Sequence, residues 1–322
     1  VHHFIVAACL VLGAGFAGQC VAQGEYPSRP VRFVVPFAPG GATDIITRLL
    51  AEQMQQVLGR PVPVENRGGA GGNVGAAEVA GSPADGYTML MGSPGPNAIN
   101  QFLYAKMPFQ SETAFSPVML VAILPNVLVV HPSLGVKSVQ ELLERVRSGA
   151  VTVNFGTAGA GSSGHLSVEL FRSMTRTAMT HIPYKGTGPA LQDLLAGHVQ
   201  LMIDNIPPMI PHIKAGKLVA LGVTTTRRAT SLPDVSPIST AVPGYEAGSW
   251  VGIVVPAGTP AAVVAKLNDA ANKGVARPEV RERMTALGAE PSGGTAQEFG
   301  EFIARETVKW KTVVQVSGAK VD

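Results

Sequence analysis

The chain has 322 residues, 46% of them hydrophobic and 15% charged, enough apolar material for two globular α/β domains and too much for a disordered or fibrous chain. With 25 Lys and Arg against 22 Asp and Glu the formal charge is +3, and no basic block is longer than Arg227-Arg228. No nucleic-acid partner is expected.

The first elements are read in chain order. Phe4-Ile5-Val6-Ala7-Ala8-Cys9-Leu10-Val11-Leu12-Gly13, followed by small residues up to Val21-Ala22-Gln23, reads as a secretory signal peptide over residues 1–22, with His2 and His3 where Lys or Arg is usual. The run is shorter than the roughly 18 to 20 residues that span a bilayer, and no later segment is longer and as apolar. An exported mature chain from Gln23 to Asp322 is expected. Cys9 and Cys20 both fall in the leader, which leaves the mature chain without a cysteine nucleophile or a disulfide framework.

Val31-Arg32-Phe33-Val34-Val35 is a β-branched run that stops at the turn Pro36-Phe37-Ala38-Pro39-Gly40-Gly41. Thr43-Asp44 then caps a helix whose apolar positions Ile45, Ile46, Leu49, Leu50, Met54, Val57 and Leu58 end at Gly59. About 120 residues on, the unit recurs: strand-like residues 151–155, a Gly- and Ser-rich turn over 156–164, and a helix with Leu166, Leu170 and Met174 on one face. Further strands are expected at residues 88–91, 127–130, 199–203 and 219–223. Alternating strands and helices predict an α/β fold of two domains with mostly parallel sheets. The chain is expected to cross between them on paired strands near residues 120–125 and 249–254, giving domains of residues 23–124 plus 250–322 and of residues 125–249.

In such sheets ligands sit at the carboxyl ends of strands, where the next helix presents free N–H groups and a partial positive charge. Residues 40–44 have that geometry, and residues 156–163 repeat it, so a cleft closing on a carboxylate-bearing molecule is expected. Read alone, Gly40 and Gly41 also suit an ordinary turn. Gly159, Gly161 and Gly164 match G-x-G-x-x-G, but residues 180–184 supply no ribose-binding acid, which argues against a dinucleotide site. His165 reads either as an anion donor or as a packing residue, and Asp204-Asn205 as an acceptor for the ligand or as a cap. Ser93 to Asn97 and Tyr184-Lys185-Gly186 are strand exits that form cleft walls or plain turns. No P-loop, zincin or nucleophile-elbow motif is present, and His131, His165, His181, His198 and His212 lack metal-ligand spacing. Neither an enzyme nor a cofactor or metal is expected.

Several segments in order carry a resemblance: Tyr26-Pro27-Ser28-Arg29-Pro30, Pro36-Phe37-Ala38-Pro39-Gly40-Gly41-Ala42-Thr43-Asp44, Glu65-Asn66-Arg67-Gly68-Gly69-Ala70-Gly71-Gly72, and Pro83-Ala84-Asp85-Gly86-Tyr87-Thr88. Pro183-Tyr184-Lys185-Gly186, Gly216-Lys217-Leu218, Leu232-Pro233-Asp234-Val235 and Pro256-Ala257-Gly258-Thr259-Pro260 follow. Over nearly the whole mature length the sequence resembles the Bug-type, TctC-like substrate-binding proteins of tripartite tricarboxylate transporters. The resemblance implies a two-domain periplasmic-binding-protein fold of the Venus-flytrap, type II-like kind with a two-strand hinge. It implies a receptor, expected as a monomer, for a di- or tricarboxylate, an acidic amino acid or an aromatic acid, delivered to the transporter's membrane components. A periplasmic sensor signalling to a receptor domain is the alternative. The ligand carboxylate would be held, partly through ordered water, by Phe37, Gly40, Gly41, Ala42, Thr43 and Asp44. Thr157, Gly159, Ala160, Gly161, Ser162 and His165 would face it, with Tyr184, Lys185, Asp204 and Asn205 on the second wall and Ser93 and Asn97 beside the first. Asn97 stands where relatives usually carry His, and Ser236-Pro237-Ile238 and Ala241 replace a usual Pro-Thr and Glu, so ligand contacts are expected to differ.

Overall fold

The computed structural model describes residues 26–321; the expected leader, with both cysteines, lies outside them. β1 (Arg32–Val35) leads into α1 (Ala42–Leu58), β2 (Val64–Asn66), α2 (Asn73–Ala80) and β3 (Thr88–Gly92). A π-helical turn (Gly95–Ile99) and the short α3 (Asn100–Leu103) precede the long β4 (Phe115–Leu124). Then come β5 (Asn126–Val130), α4 (Val139–Arg147), β6 (Asn154–Thr157), α5 (Ser163–Thr175), β7 (Thr180–Pro183), α6 (Thr187–Leu195), β8 (Leu201–Asn205), α7 (Ile206–Lys214) and β9 (Val219–Val223). The chain finishes with β10 (Ser249–Pro256), α8 (Ala261–Ala276), α9 (Pro278–Ala286), β11 (Glu290–Pro291) and α10 (Ala296–Ser317).

These strands form two sheets, ordered β11-β4-β10-β3-β1-β2 and β7-β6-β8-β5-β9. In each, a β-α-β-α-β run supplies three parallel strands with its first strand in the middle: β2-β1-β3 in one and β7-β6-β8 in the other. The expectation of mostly parallel sheets is corrected at their other ends, where β10, β4 and β11, or β5 and β9, run antiparallel. The reason is the connectivity. The chain leaves the first sheet at Leu124 and enters the second at Asn126, and it returns at Ser249, which pairs with Leu124. Strands that carry the chain across enter each sheet against the direction of its β-α-β run.

The parallel strands are buried on both faces, which is why Phe33, Val34 and Val35 read as an unbroken apolar run. One face of the first sheet lies under α1 and α8, with Phe33, Ile46, Leu50, Met54, Met89 and Leu267 in the core between them. α1 stops where Gly59 takes a left-handed φ of 65° and returns its N–H to the Gln55 carbonyl. The opposite face is covered by α10, which starts at a Thr295–Glu298 capping box. Val34, Leu90, Trp250, Val254, Phe299 and Trp310 belong to the same cluster as Phe155, Leu166 and Phe171 of the second sheet's layer. One continuous core therefore ties both sheets together behind the loops at their strand ends.

Glu306 is the polar anchor of that layer. Its Oε2 accepts from the Trp250 indole at 3.1 Å and from the Trp310 indole at 2.9 Å, and both rings are buried. Removing the acceptor strands two buried donors, each worth about 1.5 to 3 kcal/mol when the partner is charged. Glu306→Leu is expected to lower the unfolding free energy by about 3 kcal/mol in a urea titration, whereas a change under about 0.5 kcal/mol would mean the indoles find other acceptors.

Candidate functional site

The carboxyl ends of β1, β3, β6, β7 and β8 all point to one place. In both sheets the chain reverses its direction of travel beside the middle strand, β1 or β6, and the crevice at such a switch point is where α/β sheets take ligands. A narrow cavity lies there, lined by Phe37, Gly41 and Thr43 after β1, Ser93, Pro94 and Gly95 after β3, and Ala158, Ser162 and Ser163 after β6. Thr187 after β7, Asp204 and Asn205 at the end of β8, and Ser249 at the start of β10 complete it. Its volume is about 20 Å³, room for a water molecule or two. Larger hollows of about 530, 360 and 240 Å³ lie elsewhere, and the second, along α10, takes Asn97 from beyond the exit of β3 into its lining.

The wall is made of donors. α1 begins at Gly41 and α6 at Gly186, and neither helix has a side-chain cap, so their first-turn N–H groups depend on something else for acceptors. α5 begins at Ser162, whose hydroxyl accepts from the His165 N–H at 3.2 Å. Hydroxyls of Thr43, Ser93, Ser163, Thr187 and Ser249 add to the lining, and no Lys, Arg or His is among the lining residues. The Ser93 Oγ is buried with no hydrogen-bond partner.

The remaining expected residues stand one layer back. Gly40 carries a φ of +89°, and its N–H donates to Asp44 Oδ2 at 3.0 Å. Asp44 Oδ1 accepts from Arg48 Nε and from Asn66 Nδ2, both at 3.0 Å, and Asn66 also reaches the Phe37 carbonyl. Burial works against the charged form, but the hydrogen bonds from Arg48, the Gly40 N–H and Asn66 hold the Asp44 carboxyl below its ordinary range. Asp44 thus braces the first loop from behind, beside Ala42. Asn97 does the same for the third strand's exit, its Oδ1 accepting the Ser93 N–H at 3.0 Å. Thr157, Gly159, Ala160 and Gly161 build the loop of β6: Thr157 Oγ1 accepts the Gly159 N–H, and His165 Nδ1 accepts the Gly161 N–H, both at 3.2 Å. Tyr184 turns to Asp193, donating to it at 2.6 Å. Phe37, Gly41, Thr43, Ser93, Ser162, Asp204 and Asn205 are the expected residues that reach the cavity wall.

Thr187 and Ser249 line the cavity without having been expected. Thr187 follows Gly186 at a strand exit, and reading a helix start there would have found it. Ser249 has no local signal, because only the pairing with Leu124 brings it under the loops.

The two sets of loops touch. The Ala38 N–H donates to the Lys185 carbonyl at 3.0 Å, and the Tyr104 hydroxyl to the Ala160 carbonyl at 2.6 Å. Backbone meets backbone here because glycine is present: a Cβ at Gly188 would stand 2.4 Å from the Pro39 carbonyl oxygen, and one at Gly68 would stand 2.6 Å from the Lys185 carbonyl oxygen. Gly188→Ala, on a helix and without a positive φ, is expected to wedge the loops apart while leaving each sheet folded. Small-angle scattering checks this as a larger radius of gyration at an unchanged denaturation midpoint; an unchanged radius would mean that the seam tolerates the methyl group.

Behind the β6 loop, His165 and His181 stack 4.2 Å apart, and His181 Nε2 lies 2.6 Å from Thr157 Oγ1. Burial, with the neighbouring His181 and Arg172, brings His165 down to about 3, and burial with Arg172 brings His181 down to about 4. Unfolding releases both to about 6.5, so their contribution is complete above that pH and is lost as the pH falls toward 4. The unfolding free energy is expected to drop by up to about 1.4 kcal/mol per pH unit for His165, and by less for the more exposed His181, from pH 6 to 4.5. A flat denaturation midpoint over that range would mean that the imidazoles are not held neutral.

Comparison with known proteins accords with this geometry. Residues 46–319 match the model of the tripartite tricarboxylate transporter family receptor. The protein BugT of Bordetella pertussis is 38% identical over 318 residues, covering 98% of this chain and 97% of its own. A protein from the tcbD-tcbE intergenic region of Pseudomonas sp. strain P51 is 39% identical, covering 90% and 86%. Among solved structures, an R. palustris protein with adipate superposes with a TM-score of 0.89 at 39% identity, over 92% of this chain and all of its own. The periplasmic binding protein BugD gives 0.88 at 36% over 92% and 99%, and MatC of Rhodopseudomonas palustris with bound malate gives 0.86 at 34% over 90% and 100%. The expected two-domain binding-protein fold is the one these neighbours share, and their family is one of receptors rather than enzymes. This chain belongs to the tripartite tricarboxylate transporter receptor family.

Proposed function

We propose that this chain is a periplasmic, monomeric receptor that closes on a small dicarboxylate between two domains and presents the closed form to the membrane components of a tripartite tricarboxylate transporter. The domains are residues 23–124 plus 250–322 and residues 125–249. The observation that carries the reading is the meeting of two uncapped helix N-termini, those of α1 and α6, at a cavity where the Ser93 hydroxyl is buried without a partner. Such a wall offers backbone N–H groups and helix dipoles to an anion, with no side-chain counter-ion needed. Each charge-assisted bond to a carboxylate contributes roughly 1.5 to 3 kcal/mol, so a few of them support micromolar binding.

The solved relatives with adipate and with malate support a dicarboxylate of four to six carbons as the first class to examine. The closed cavity is too small for either acid, so entry requires the seam between the loops to part. A ligand that touches both sides favours the closed form by its contacts there, and the transporter reads that shift. Export by the leader over residues 1–22 puts the receptor where the transporter meets its solute.

A thermal-shift series of the mature chain with adipate, malate, glucose and arginine tests this. Ligand at a hundredfold excess over its dissociation constant stabilises by about 2.7 kcal/mol, so a rise confined to the dicarboxylates is expected. Ser93→Ala is expected to weaken the responding acid roughly tenfold by loss of one hydrogen bond to a charged group. Shifts with glucose or arginine alone would overturn the carboxylate reading.

A further inference from the structure

Asp204 is the one ionisable side chain on the cavity wall. It is 4% exposed, and its two oxygens accept from the Thr187 hydroxyl at 2.8 Å and from the Asn205 N–H at 2.7 Å. Among the described residues no cation is bonded to it. β5 sets Val127 opposite, and α5 brings Gly164 so near that a Cβ there would lie 3.7 Å from the Asp204 carboxyl carbon; α6 contributes Thr187 and the start of α7 contributes Asn205. Among the described residues the other titratable groups nearby make no bond to it. His165 and His181 stack on each other, Asp44 is held by Arg48 and Asn66, Asp193 is held by Tyr184, and Lys185 is exposed.

A site that draws a carboxylate in against a buried aspartate confronts two negative charges with no counter-ion. Two carboxylates in one such place share a proton, because like charges a few ångströms apart in a water-poor cavity cannot both stay ionised. We propose that closure on a dicarboxylate takes up one proton from solvent, held between Asp204 and the ligand, so that the receptor captures its acid in singly protonated form. This rests on the carboxylate-receptor reading and specifies how that site handles charge. The pair has a shared titration, not one belonging to either partner. Burial already pushes the Asp204 carboxyl up to about 6 against the hydrogen bonds from Asn205 and Thr187, and the second carboxylate must carry the shared titration above pH 8 for the proton to stay in the closed complex. The sign follows: the bound state holds more protons than the free state above about pH 6, and affinity falls as pH rises.

Isothermal titration with adipate, or with malate if that acid gives the thermal shift, at pH 5 to 8 in buffers of unequal ionisation heat reads both quantities. The expected result is a dissociation constant that weakens roughly tenfold per pH unit above 6, with close to one proton taken up per ligand at pH 8. Asp204→Asn keeps an acceptor for the Asn205 N–H and turns an amide toward Thr187 Oγ; its pH slope and proton uptake are expected to vanish, whatever its affinity. The buffer comparison on the unaltered protein stands even if that variant does not fold. A pH-independent affinity without proton uptake overturns the proposal and leaves the receptor reading intact, as does a slope that survives in Asp204→Asn. Tighter binding of 2-aminoadipate than adipate, without proton uptake, would assign Asp204 to an ammonium group and also overturn it. Failure of every carboxylate to bind at any pH overturns the receptor reading and this proposal together.

Discussion

A helix that begins with glycine in a place shielded from water leaves its first N–H groups looking for acceptors, and in this protein two such beginnings are aimed at each other. α1 at Gly41 and α6 at Gly186 have no side-chain caps. A Cβ on Gly41 would lie 3.3 Å from the Thr187 Cβ. Unpaired backbone donors in a closed site carry a desolvation penalty, and an anion between them removes it. The absence of lysine and arginine from the wall follows: the helices supply the field, and a fixed cation would add charge without adding direction.

The rest of the fold holds those two helix starts in register. Asp44 and Asn66 brace the first loop, and Asn97 braces the exit of β3. At the crossing between sheets, Asn126 bonds both Asn205 and Ser167, while Ser167 donates to the Ser163 carbonyl at 2.8 Å. That network links β5, β8 and the first turn of α5 directly beneath the cavity. Behind it α10 packs on both β4 and α5, with Glu306 satisfying the two buried tryptophans. The loops can therefore meet backbone to backbone at a seam where Gly68 and Gly188 leave no room for a side chain.

Much of this was legible locally, and the failures have physical causes. The break after β1 and the Gly- and Ser-rich loop after β6 announce themselves by composition, since turns that carry free N–H groups need small residues. Asp44 and His165 were grouped with the ligand contacts because they sit in the right loops. In the structure their side chains bond the Gly40 and Gly161 N–H groups, and sequence position does not distinguish a brace from a contact. The last strand of the second run was expected two residues early, at 199–203 against Leu201–Asn205. This matters because the true end carries Asp204 and Asn205 within the strand and on the wall.

By itself the sequence determined the class of the molecule: two α/β units, each with a glycine-bearing loop between a strand and a helix, and a chain of motifs that places it in its family. Those properties depend on residue type and spacing over short distances, where periodicity and turn chemistry act. Tertiary structure alone decided which of the loop residues line the cavity, that Ser249 joins them, that the sheets are mixed, and that Asp204 stands there with no cation bonded to it among the described residues. The last three depend on pairing between segments far apart in the chain, such as Val127 with Asp204 and Leu124 with Ser249, and no local pattern encodes which strand will lie beside which.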